Sequence, residues 1–102
     1  MTYNKLVRDK IPEIIRQQGE IPNCRILDQK EYLYFLEQKL DEEVGEYHRD
    51  QNPEELADIL EVVYALAANL GVSKEKLHEI YQQKHDSRGG FEKRLMLICS
   101  EE

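Results

Sequence analysis

Glu42-Glu43-Val44-Gly45-Glu46, a short connection, and then Asn52-Pro53-Glu54-Glu55-Leu56-Ala57-Asp58 decide how this chain folds. Glu43 and Glu46 are three apart, as are Glu55 and Asp58, so each pair shares one helix face with Cβ atoms about 5–6 Å apart. Asn52 followed by Pro53 reads as a helix start, with Asn52 as the N-cap and Pro53 at the first helical position. Two helices joined that briefly run antiparallel and pack together. Four carboxylates then converge on one point, and like charges at that range repel unless a cation sits among them. An all-oxygen ligand set selects a hard divalent ion, Mg²⁺ or Mn²⁺.

The apolar pattern around the first motif strengthens this reading. Tyr32, Leu33, Leu36, Leu40, Val44 and Tyr47 recur at the three/four spacing of an amphipathic helix. Glu43 falls inside that stripe, where a carboxylate without a partner is costly. Glu46 lies at its edge and Glu42 further toward solvent. In the second helix Leu56, Ile59, Leu60, Val63, Leu66, Ala67 and Leu70 form the expected core stripe, and Glu55 and Asp58 share a neighbouring row with Val62 and Ala65. The competing interpretation is a wet acidic face, natural in a chain with 21 acidic residues among 102. Glu55 also sits where a capping-box Glu would. Glu42, Glu54 and Glu61 stay open; Glu61, three residues after Asp58, fits a second ion or a solvated role.

Glu-Glu-x-x-Glu followed by Glu-x-x-Asp on paired helices resembles the all-α nucleoside triphosphate pyrophosphohydrolases, the MazG-like superfamily. Tyr3-Asn4-Lys5-Leu6-Val7-Arg8-Asp9-Lys10-Ile11-Pro12 and Arg88-Gly89-Gly90-Phe91 resemble a small branch described as phosphoribosyl-ATP pyrophosphohydrolase-like. The resemblance implies Glu43, Glu46, Glu55 and Asp58 as metal ligands, and hydrolysis between the α and β phosphates of a nucleoside triphosphate. Glu42 or Glu46 is then the carboxylate that accepts a proton from water. Two features depart from the pattern. The gap between the motifs is shorter than usual, and Asp58-Ile59-Leu60-Glu61-Val62 differs from the Asp-Leu-Leu-Tyr-His of the histidine-pathway enzyme. The rivals are a phosphoribosyl-ATP or dUTP pyrophosphohydrolase and, outside catalysis, a helical nucleotide- or protein-binding module with a structural metal.

A triphosphate also needs cations. Lys5, Arg8 and Lys10 in an N-terminal arm, and Lys84, Arg88 and Lys93 around the Gly89-Gly90 turn, are the candidates. Arg88 is the most attractive, since guanidinium binds phosphate bidentately and the glycines admit backbone amides. His48, His78 and His85 lack ligand spacing and read as surface residues. Tyr32, Tyr34 and Phe35 read as helix packing, with stacking on a base as the alternative.

The remaining features set bounds. The length leaves room for one domain, residues 1–102, with a modest core. A net charge of −7 disfavours DNA or RNA polymers as partners. No apolar run is long enough for a membrane span and no signal-peptide segment is evident, while Cys24 and Cys99 read as reduced thiols of a cytoplasmic protein. The expected fold is all-α: a short helix at Ile11–Gln18, an extended stretch over 21–27, a hairpin of about 31–50 and 53–70 opened by an Asp28/Glu31 capping box, and a third helix over about 74–86. Leu95 to Cys99 reads as a strand or buried coil. The second helix is apolar over more of its circumference than one neighbour covers. A homodimer or dimer of dimers with a four-helix-bundle core is therefore expected.

Overall fold

In the computed structural model, which describes residues 4–102, the chain is all-helical: α1 Ile11–Gln17, α2 Gln29–Asp50, α3 Pro53–Asn69 and α4 Lys74–Arg88, with no strand among the described residues. Residues 1–3 of the N-terminal arm, including Tyr3, lie outside the described residues.

Each helix end has a local cause. Asp28 opens α2 by accepting a hydrogen bond from the backbone N–H of Glu31 at 2.9 Å. The Glu31 carboxyl is held below its ordinary value, first by the Arg25 guanidinium, which donates to both its oxygens. At the far end Gln51 takes the left-handed conformation, φ 46° and ψ 53°. Asn52 then caps α3 through Glu55 N–H at 3.0 Å, with Pro53 in its first turn. Past α3, Gly71 (φ 78°) closes a Schellman motif, with Gly71 N–H donating to the Ala68 carbonyl and Val72 N–H to that of Ala67. Ser73 caps α4 through Lys76 N–H, and Gly89 ends it two residues beyond the expected limit.

The α2–α3 pair is the body of the molecule. The Gln29 side-chain amide donates to Asn69 Oδ1, joining the first turn of α2 to the last residue of α3 as antiparallel packing requires. Leu36, Val62 and Ala67 are the buried apolar residues, with Glu43 buried among them. This corrects part of the expected α3 face, although Ala67 of that stripe is buried as expected. Val62, from the row of Glu55 and Asp58, packs inward, whereas Leu56, Leu60 and Leu70 are 50%, 47% and 79% exposed. The acidic row and the helix-helix seam coincide because α2 reaches α3 from the side of its carboxylates.

α4 leaves α3 at a bend of 105° and packs against α3 alone; Lys74 Nζ sits 4.9 Å from the Tyr64 ring centroid at this joint. Beyond Gly89 the tail is neither strand nor buried coil. Leu95, Met96, Leu97 and Ile98 are all exposed, because no strand stands beside them and no core lies within reach. The chain extends over 63 × 31 × 22 Å with a radius of gyration of 18.2 Å. No single described helix is long and apolar enough to cross a membrane.

Candidate metal centre

The hairpin turn sets the two motifs side by side. With Gln51 and Asn52 alone between the helices, the last turns of α2 face the first turns of α3. Glu43 and Glu46 thereby meet Glu55 and Asp58. The carboxylates form two overlapping groups joined at Glu43. Oxygens of Glu43, Glu55 and Asp58 lie within 4.8 Å of one another, as do those of Glu42, Glu43 and Glu46. The expected convergence of four acids is present in this divided form, with Glu42 added.

Glu43 is the hinge of the cluster and only 7% exposed. Its Oε2 and that of Glu55 are buried without a hydrogen-bond partner. Burial pushes the Glu43 carboxyl up to about 7; the adjacent Glu46 carboxylate adds to the rise, Lys39 opposes it, and Asp58 contributes further. Glu55 is raised too, by lost hydration first and by the charge of Glu46 next. Carboxylates crowded in this way share one electrostatic need, a positive charge among them. The two buried oxygens without a hydrogen-bond partner stand on facing helices, and carboxylate oxygens are donors of the hard type that a divalent ion such as Mg²⁺ or Mn²⁺ would take.

Among the described residues, Lys39 and Arg8 make ion pairs with acids of the cluster. Lys39, one turn before Glu43 on α2, places Nζ 3.6 Å from Glu43 Oε1 and 3.5 Å from Glu42 Oε2, with its side chain largely buried. Sequence reasoning passed over Lys39, although its three- and four-residue spacing to Glu42 and Glu43 was a legible signal. The second cation is Arg8. Its Nη1 donates to Asp58 Oδ1 at 3.1 Å and its Nη2 to Glu61 Oε1 at 3.2 Å. Of the arm's candidates, Arg8 thus stands at the acidic cluster, while Lys5 and Lys10 are exposed on the arm beside it.

The cations of α4 are elsewhere in the chain. From Asp58, α3 runs on for roughly 16 Å before α4 turns away, and Arg88 lies about 21 Å down α4. Lys84 and Arg88 line an open hollow of about 690 Å³ with Tyr81, His85, Gly90 and Phe91; Lys93 borders the adjoining space. Within one chain these three candidate cations are separate from the carboxylates. His85 is half-buried rather than superficial, because Tyr81 stacks between it and His78 with centroid distances of 5.8 Å on both sides. Tyr34 and Phe35 meet edge to face at 5.2 Å, and Tyr34 Oη accepts from Gln38, both contacts lying within α2, with Tyr34 58% exposed.

Over 42 residues the chain is 55% identical to an uncharacterized protein of Mycolicibacterium smegmatis, a match that covers 41% of this chain and 43% of that protein. The chain therefore covers less than half the length of that relative. No family model matches the chain, and no solved structure matches it.

Proposed function

We propose that this protein is a divalent-metal-dependent pyrophosphohydrolase that cleaves nucleoside triphosphates between the α and β phosphates, giving a monophosphate and pyrophosphate. One observation carries the reading: Glu43, buried in an apolar seam, presents an unpartnered oxygen where the two groups of carboxylates meet. A purely structural helix interface gains nothing from that arrangement, since apolar residues of similar volume would pack there at lower cost. The resemblance of the two acidic motifs to MazG-like enzymes supplies the reaction class.

In this reading Glu43, Glu46, Glu55 and Asp58 hold Mg²⁺ or Mn²⁺. The ion supplies charge neutralisation for the phosphates and lowers the pKa of a bound water. The chain's own residues do the rest. Glu42, 38% exposed at its side chain and in the same group as Glu43, is our candidate proton acceptor. Lys39 partly balances Glu42 and Glu43 and fixes their orientation. Leu36 and Val62 keep the inner side of the site dry, which strengthens each charge interaction there.

Association belongs to the same proposal. The chain exposes 9436 Å², against about 6,000 Å² for a compact monomer of its mass. Part of that excess lies on the extended tail, with Leu95 to Ile98 exposed, and part on the hairpin. Leu56 and Leu60 on α3, with Leu33 and Tyr34 on α2, form the apolar surface that a second hairpin would cover in a four-helix bundle.

A pyrophosphate-release screen over ordinary, deoxy and damaged nucleoside triphosphates, with Mg²⁺ and with Mn²⁺, tests the activity. We expect release with at least one substrate and none from Glu43→Gln. Silence across the whole panel, with ion binding intact, would favour a metal-stabilised binding module instead.

A further inference from the structure

The Arg8 side chain ties the N-terminal arm to the middle of α3. α1 packs against none of the other helices. Yet Arg8, just ahead of α1, bridges to α3 across fifty residues of sequence. Its two terminal nitrogens go to different acids, Asp58 and Glu61, which are three apart and so stand on one face of α3. Their roles differ. Asp58 has an oxygen in the close group with Glu43 and Glu55, whereas Glu61 belongs to neither carboxylate group. Arg8, Asp58 and Glu61 are 58%, 40% and 48% exposed at their side chains, so these ion pairs are weak and exchangeable. Guanidinium carries five N–H donors, and two are used here.

Resting on the metal-centre reading, we propose that Arg8 is the resident counter-cation of the site: it holds Asp58 until a divalent ion takes that carboxylate, and Glu61 keeps it at the rim to receive a phosphate group. The charges require such an exchange. A dication drawn to Glu43, Glu55 and Asp58 competes with Arg8 for the Asp58 carboxylate and repels the guanidinium. Glu61, outside the cluster, retains its hold and prevents Arg8 from leaving with the arm. The donors released from Asp58 then face the side from which a phosphorylated ligand approaches the ion, and a guanidinium fork suits two phosphate oxygens. In this proposal Glu61 is a positioning residue for Arg8 rather than a ligand to a second ion.

The test uses the full chain and two probes, Mn²⁺ alone and then inorganic tripolyphosphate added to the Mn²⁺-loaded protein, both followed by calorimetry. Arg8→Gln should bind Mn²⁺ about two- to fivefold more tightly, the range expected when an exposed competing ion pair is removed. It should bind tripolyphosphate roughly tenfold more weakly, as loss of a charge-assisted contact implies. Glu61→Gln should keep the wild-type number of Mn²⁺ ions per chain yet also weaken tripolyphosphate, and Arg8→Lys should fall between wild type and Arg8→Gln. Arg8→Gln matching wild type in both titrations would reduce the bridge to a structural staple and overturn the proposal. So would fewer bound ions in Glu61→Gln. Failure of the underlying metal reading has a separate signature: wild type takes up no Mn²⁺, or Glu43→Gln takes it up equally well, whatever stands at position 8.

Discussion

Glu43 concentrates the electrostatics of the molecule in one carboxyl. Its folded-state value of about 7 lies above that of the unfolded chain, so the folded form holds a proton that the unfolded form has already lost. The sign follows: without metal, stability is greatest in mild acid and declines as pH rises from the ordinary carboxylate range through about 7. Glu43→Gln should remove most of that slope and raise the neutral-pH stability of the metal-free protein by on the order of 1–3 kcal/mol, measured by urea unfolding at pH 5 and pH 8. In the proposed site the same residue would couple the ion to protons, since Mn²⁺ would have to displace the proton from Glu43. Affinity should therefore climb through pH 6–8 in wild type and be much weaker in Glu43→Gln. Equal ion affinity in the two proteins would remove Glu43 from the ligand set. The position of Glu43 could be read from the sequence, since it interrupts a stripe of Leu36, Leu40, Val44 and Tyr47. Arg8 was legible only as one cation among several. Its contact spans fifty residues and leaves no periodic trace.

At the scale of elements, the two-residue link Gln51-Asn52 holds the two motifs in register. Asn52→Ala removes the hydrogen bond to Glu55 N–H and should cost about 0.5–2 kcal/mol, read from the urea midpoint. Because that bond fixes the first turn of α3, the variant should also weaken ion binding. Gly45 gives the opposite sign. A Cβ added there meets nothing within 4 Å, so Gly45→Ala should stabilise the isolated hairpin by about 0.5–1 kcal/mol and leave ion binding unchanged. The helix limits were legible because their causes are local: Asp28, Asn52-Pro53, Gly71 and Ser73 each act within a few residues. The inward face of α3 was not. α3 carries apolar residues on two sides, and its sequence alone does not say which side meets α2 and which stays exposed. The tail at Leu95–Ile98 failed for the same reason, since apolar residues declare a need for cover without naming its source.

At the scale of the whole molecule, a radius of gyration of 18.2 Å stands well above the roughly 13 Å of a compact chain this long. Leu60→Glu puts a charge on the exposed face of α3 and should convert an associated species to monomer in sedimentation at micromolar concentration, leaving the α2–α3 seam untouched. A wild-type chain that sediments as a monomer would defeat the association argument outright. The uncovered leucines of α3 also make folding a matter of abundance. If much of the apolar burial forms only between copies, the melting temperature belongs to the concentration as well as to the sequence. Dilution then favours unfolding, and a scarce protein in the cell would be a short-lived one. Serial tenfold dilutions should lower the thermal midpoint stepwise in wild type and leave Leu60→Glu level, at a lower temperature throughout.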